Sequence, residues 1–149
     1  MTVRKENPAK VFLRRYRNLS GRIDALQAAI NQAMARATNI SVSLKEIKVL
    51  SSPTEHDPMA TDVCMAVDAC EILYKYKSEA ENALRDILAA VDSLKDERQK
   101  EILTMRYIQG ISFEDIMEKV GYERTQTYVI HGRGLVEINK WLERRGELV

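Results

Sequence analysis

Glycine and proline are scarce in this chain, six and three residues among 149, and no long polar tract breaks it. With helix formers plentiful, that composition excludes a disordered or linker-rich protein and points to an ordered, mostly helical one. No apolar run approaches the ~20 residues that carry a helix across a bilayer, so no membrane association is expected. Met1 to Lys10 is charged and no signal-type apolar core follows it, which makes the expected location the cytoplasm of the cell that makes it.

Cysteine is nearly absent. Cys64 and Cys70 are the only two, six residues apart on one expected helix, almost two turns from each other and too far to bridge. His56 and His131 are the only histidines, and nothing has the spacing of a structural zinc site. The expectation is two reduced, partly buried small side chains, with no metal and no cofactor. Enzyme signatures are lacking as well. There is no phosphate loop and no nucleophile and base in a plausible order, and acid pairs such as Glu114 and Asp115 are adjacent on a helix and point apart. A catalytic role is not expected.

Charge is present in balance but not in place. The formal net charge is +1, yet residues 1–49 hold ten Lys/Arg against three acids, and residues 50–94 hold three against nine. From Lys95 onward ten bases face ten acids. A segment at +7 followed by one at −6 favours pairing of the two with each other over self-association of like helices.

Both segments carry a helical seam. Phe12, Tyr16, Leu19, Ile23, Leu26, Ile30, Ala33 and Ala37 recur at alternating spacings of four and three, continuing through Ile40, Leu44 and Ile47. That is the 3.5-residue repeat of a coiled coil. Its weak point is the β-branched stretch Thr38 to Val42, where the helix is expected to break if it breaks at all. Ser51 to Pro58, with two prolines and several cap-type residues, reads as a loop. A second seam follows through Met59, Val63, Ala66, Cys70, Leu73, Lys77, Ala80, Leu84, Ile87, Val91 and Leu94, interrupted only by Lys77. Two such seams joined by a short loop predict a long antiparallel helical hairpin over residues 1–94, an oligomerisation or docking element.

The final third, residues 95–149, changes character. A charged helix start from Lys95 leads into Ile102, Leu103, Tyr107 and Ile108 and stops at Gly110. Ser112 and Asp115 then have capping-box spacing ahead of a short apolar-faced helix with Phe113, Ile116, Met117 and Val120. Gly121 ends it after barely two turns, and a third helix opens near Arg124 and runs to Leu142. Helix, glycine break, capped short helix, glycine turn and long helix is the order of a helix-turn-helix, although a generic three-helix bundle has the same pattern. The expected fold class is all-α, a coiled-coil-like hairpin followed by that C-terminal domain.

Residues Arg98 to Ile138 resemble region 4 of bacterial sigma factors, through Arg106, Tyr107, Gly110, Ser112, Glu114 and Ile116, then Val120, Gly121, Tyr122 and the helix after them. The run QTYVIHGR, Gln126 to Arg133, is similar to sigma-region-4-like regulators of phages and prophages of Gram-positive bacteria, the late-gene activators of the RinA and ArpU kind. The resemblance implies a cytoplasmic transcription regulator with double-stranded DNA as partner. In such a protein the hairpin would dimerise the chain or touch RNA polymerase. Two positions depart from the pattern: Glu123 stands where a Ser or Thr cap is usual, and Val129 where a polar, DNA-facing residue is common.

In a helix-turn-helix the first turns of the third helix enter the major groove. With Thr127, Ile130 and Gly134 facing the core, Arg124, Thr125, Gln126 and Tyr128 are left facing outward. Arg can read guanine and Gln adenine, each worth about 1–3 kcal/mol of discrimination. His131 and Arg133 are placed one turn later to hold the DNA backbone, with an ion pair to Glu137 as the competing role for Arg133. Lys140, Arg144 and Arg145 extend the basic side. Gly134 is expected where the domain's first helix approaches closely, and Trp141 is expected in the core. Two other readings fit the same residues: a module docking onto RNA polymerase or its sigma factor, and a DNA-packaging adaptor subunit that assembles into a ring.

Overall fold

The computed structural model describes residues 5–47 and 58–147, with side chains at 5–38 and 63–147. It is all-α, and among the described residues there is no strand. Helix α1 spans Pro8–Ile47 and α2 spans Pro58–Asp92. Three shorter helices follow, α3 (Glu97–Leu103), α4 (Phe113–Val120) and α5 (Arg124–Arg144), with a π-helical turn at Thr104–Ile108 between α3 and α4. None of the described helices is long and apolar enough to cross a membrane.

Local chemistry accounts for the ends of these elements. Pro8 occupies the first position of α1, where its fixed φ suits a helix and its missing N–H costs nothing. The Asn7 side chain caps that helix, accepting from Ala9 N at 3.0 Å. Asp96 caps α3 by accepting from Arg98 N at 2.9 Å. Ser112 Oγ caps α4 by accepting from Asp115 N at 3.3 Å. Gly121 then reverses the chain at φ 72°, where a side chain would be strained. α1 does not break at Thr38 but continues to Ile47; the Thr38 hydroxyl bonds back to the Met34 carbonyl at 2.9 Å. The loop expected at 51–58 lies, apart from Pro58, outside the described residues, as do His56 and the side chains of Ile40, Leu44 and Ile47.

The chain divides into two compact units. One comprises residues 1–19 and 80–149, and the other residues 20–79. The first therefore takes residues from both sides of Leu94. Its main core joins Phe12 and Leu13 of α1, Ile87, Ala90 and Val91 of α2, Leu103 and Tyr107, and Leu135, Ile138 and Leu142 of α5. A smaller cluster of Ile102, Ile116 and Ile130 binds α3, α4 and α5, flanked by Phe113, Val120 and Tyr122. Shortening a fully buried member such as Ile102 or Ile138 to Ala removes about 2–5 kcal/mol.

In the second unit the α1 positions Ile30, Ala33 and Ala37 are buried, with Ile23 and Leu26 half-buried, as the α1 seam requires. Arg22 lies over the Tyr76 ring, 5.9 Å from its centroid. The α2 seam needs correction. Ala66, Leu73, Ala80, Ile87, Val91 and Leu94 are buried as expected and Leu84 is half-buried, but Val63, Cys70 and Lys77 are exposed. Ala69 and Tyr76, one residue before Cys70 and Lys77, are half-buried in their place, and Ala83 and Ala90 are buried alongside Leu84 and Val91. Lys77 therefore interrupts nothing. Cys64 and Cys70 are both exposed free thiols rather than partly buried ones, because this shift turns them outward.

Candidate functional site

α4 and α5 form the site, and their junction is set by three residues. Gly121 turns the chain. Glu123 occupies the N-cap position of α5 without a side-chain cap bond, and the Glu123 carbonyl is taken instead by Thr127 Oγ1 at 3.0 Å. Thr127 is fully buried, Ile130 and Gly134 follow on the same face, and a Cβ added to Gly134 would stand 3.1 Å from Leu103 Cδ1 of α3. The close approach expected at Gly134 is thus present. Gly132 has nothing within 4 Å of an added Cβ, so no neighbouring protein atom requires its lack of a side chain.

With that face turned inward, Arg124, Thr125 and Gln126 lie exposed on the first turn of α5, and Tyr128 and Val129 on the next. Arg133 is exposed as well. Glu137 pairs with Lys140 at 3.0 Å and not with Arg133, whose competing role is thereby removed. Arg145 lies over Trp141 at 4.5 Å and pairs with Glu147 at 3.2 Å, which leaves Arg144 as the cation of that helix end without an ion pair among the described residues. Trp141 is half-buried, and its ring packs against Phe12 of α1 with centroids 5.7 Å apart.

Tyr128 is not a free outward ring. It packs on Phe113 with centroids 4.7 Å apart, while Arg124 lies over its own ring at 5.8 Å. Phe113 in turn meets the His131 ring edge-on at 5.0 Å and carries Arg106 at 4.5 Å from its centroid. A continuous stack thus runs from the N-terminus of α5 to the π-helical turn and sets the side-chain direction of Arg124. Sequence reading did not anticipate this role of Phe113.

His131 is the one expected site residue that the structure places elsewhere. It is 7% exposed, stacks on Tyr107 at 19°, and its Nε2 stands 2.8 Å from the Tyr107 hydroxyl. Burial, reinforced by the charges of Lys10 and Arg106, lowers its pKa to about 4. A neutral, hydrogen-bonded ring on the inner side of α5 cannot hold a DNA phosphate by charge. The Tyr107 hydroxyl and His131 Nε2 share one hydrogen bond whose direction follows the ring's tautomer, and burial raises the Tyr107 pKa and keeps the phenol protonated.

A second feature borders this stack. A cavity of about 470 Å³ is lined by Lys10, Arg14, Arg17 and Asn18 of α1, by Arg106, Tyr107, Gly110 and Phe113, and by His131. The signal for it in the sequence is the basic row Lys10, Arg14, Arg17, spaced four and three and so on one face of α1. Among the described residues no cluster of His, Cys, Asp or Glu is arranged to hold a metal ion.

No curated protein and no solved structure matches the chain. A family model described as a protein of unknown function, DUF1492, matches residues 41–139. That span takes in α2 through most of α5, including every exposed residue of the first two turns of α5. With well over half of its length matched, the chain belongs to the DUF1492 family.

Proposed function

We propose that this protein is a sequence-specific DNA-binding transcription regulator, with α4, the Gly121 turn and α5 as a helix-turn-helix. The observation that carries the reading is the division of α5's first two turns. Thr127 and Ile130 are buried, so Arg124, Thr125 and Gln126 are presented together, with Arg124 oriented by the ring of Tyr128. An arginine and a glutamine on adjacent exposed positions of a helix start are the donors that read guanine and adenine edges in the major groove. Arg133 one turn on, and Arg144 beyond it, supply phosphate attraction. The resemblance to sigma-factor region 4 makes a phage or prophage late-gene activator, acting at a promoter in the bacterial cytoplasm, the specific form of this reading. No catalytic step and no cofactor belong to it.

In the same reading α1 and α2 form an antiparallel hairpin that dimerises the chain or touches RNA polymerase. The contact of Arg22 with Tyr76, and the joint burial of Phe12 with Ile87 and Val91, support antiparallel pairing. The row Val63, Val67, Cys70 and Tyr74 stands exposed on α2 at spacings of four and three, an apolar face suited to association.

The test is selection from a random duplex pool with the full chain at low and near-physiological salt. A motif that persists at the higher salt supports the assignment. Retention only at low salt, with no motif, leaves phosphate attraction alone and rejects it. A second reading, docking onto polymerase or a sigma factor, is favoured by one observation: Val129 and Val136 lie exposed on α5, a helix whose N-cap residue, Glu123, is acidic and makes no side-chain cap bond.

A further inference from the structure

The cavity beside α1 gathers positive charge without an acid to balance it. Lys10, Arg14 and Arg17 line it from one side and Arg106 from another, and no Asp or Glu is among its lining residues. Glu6 pairs with Arg14 at 2.5 Å, but Glu6 itself is not part of the wall. Like charges converging on a concave space repel one another, and the field they focus there attracts an anion.

Two of these cations are held by their neighbours. Arg106 Nη1 donates to the Ile111 carbonyl at 3.3 Å while its guanidinium lies over Phe113, 4.5 Å from the ring centroid. The Arg17 guanidinium packs directly on Gly110, whose φ of 71° and missing side chain leave room for it. Asn18 adds a neutral amide to the rim. The aromatic surface nearby is occupied, since Phe113 is covered by Arg106, Tyr128 and the His131 edge. A planar base has no free ring to stack on, whereas a compact oxyanion meets two or three guanidinium forks. At about 470 Å³ the space falls within the size range of small-ligand pockets.

We propose that this cavity is a phosphate-binding site, in which Lys10, Arg14, Arg17 and Arg106 hold the oxygens of a single phosphate group. The phosphate belongs either to a small phosphorylated molecule or to a DNA backbone, and the chemistry of recognition is the same for both. The site is separate from base reading by Arg124 and Gln126 and does not require it.

His131 is the reporter, because its ring lines the cavity and faces Lys10 on α1, Arg106 on the π-helical turn and the Tyr107 hydroxyl. An anion bound there offsets the two cations and raises the His131 pKa. The experiment follows the His131 ring by nuclear magnetic resonance through a pH titration of the full chain, with His131→Gln identifying its signal. Inorganic phosphate, sodium chloride at equal ionic strength and a short random duplex are compared. Arg14→Gln/Arg17→Gln removes two lining charges, and Arg15→Gln, an exposed neighbour off the cavity, serves as the control for charge alone.

The expected result is a rise of about one unit or more in the His131 midpoint with phosphate, a tenfold change in proton affinity, absent with chloride. The rise should vanish in Arg14→Gln/Arg17→Gln and persist in Arg15→Gln. The same pattern with duplex and not with inorganic phosphate assigns the site to the DNA backbone. No rise with either, a rise of equal size with chloride, or equal loss in Arg15→Gln overturns the proposal. If the double variant does not fold, Lys10→Gln is read by the same criteria. Failure of the selection experiment to yield a motif leaves this result unaffected, and failure here leaves a selected motif standing.

Discussion

The Tyr107 hydroxyl meets His131 Nε2 at 2.8 Å inside the contact between the π-helical turn and α5. The pair couples folding to pH. His131 has a pKa of about 4 in the folded chain against an ordinary value near 6.5. Between those values the unfolded chain binds the proton and the folded chain does not, so stability falls as pH falls from about 6.5 towards 4. The loss due to this group is on the order of 3 kcal/mol at its fullest, below pH 4. In His131→Gln, chemical denaturation at pH 7 and pH 4.5 should differ by less than in the parent, by roughly 2 kcal/mol. An unchanged difference would mean that His131 is not the group responsible.

Two glycines of the candidate site should respond in opposite directions. Gly121 sits at φ 72°, so Gly121→Ala is expected to cost about 1–2 kcal/mol. Gly132 is helical with open space around it, so Gly132→Ala is expected to stabilise by up to about 1 kcal/mol. Thermal unfolding of the two variants checks both. If Gly132→Ala raises stability while weakening duplex binding, the open space is where DNA approaches.

Arg124→Ala and Arg144→Ala separate reading from attraction. Loss of the Arg124 fork should relax preference at one base pair, by about 1–3 kcal/mol. Loss of Arg144 should weaken binding to every duplex alike and lower the salt slope by about one phosphate contact. Competition binding against the selected and scrambled sequences measures both, and identical effects of the two variants would count against base reading.

Asn7 has two jobs at once, capping α1 and accepting from Asn139 Nδ2 of α5 at 3.0 Å. Asn139 Oδ1 is buried with no partner, so the pair has no slack. Asn7→Ala should cost about 1–2 kcal/mol through the cap, with more from the stranded Asn139 amide. A loss below about 0.5 kcal/mol would show that the start of α1 is not docked in solution.

Cys64 and Cys70 stand exposed on α2, so both should be modified by a thiol reagent in the native protein at rates near those of the denatured chain. Protection of either one that is relieved on dilution would place it in an association surface, which the exposed row around Val67 and Tyr74 favours.

What was legible in the sequence is what short spacing encodes. Phe12 to Ala37 could be read because large side chains mark the α1 seam. Ser112 and Gly121 could be read because caps and left-handed turns are local chemistry. The α2 seam shifts by one position at Cys70 and Lys77, where Ala69 and Tyr76 are half-buried instead, because an alanine carries little apolar signal while Cys70 is better suited to burial by type. The inward turn of His131 depends on Tyr107, 24 residues earlier, and the cationic cavity on residues about ninety positions apart, so periodicity shows neither. The π-helical turn, which helps to place Arg106, Tyr107 and His131 around one space, has no marker among its residues.

The core that unites Phe12 and Leu13 with Leu135, Ile138 and Leu142 also dictates the order of events at birth. Synthesis runs from the amino end at about 5–20 residues per second, so the early turns of α1 leave the ribosome well before their α2 partners and must wait longer still for those of α5. Until then Phe12 and Leu13 are exposed to water, to chaperones and to other nascent chains, and native contacts so distant in sequence form slowly. A fragment starting at Lys95 would meet the mirror-image difficulty. It would leave Leu103, Tyr107 and Leu135 without the α1 residues that help to cover them, and would behave as a sticky, loosened piece rather than as a free-standing domain.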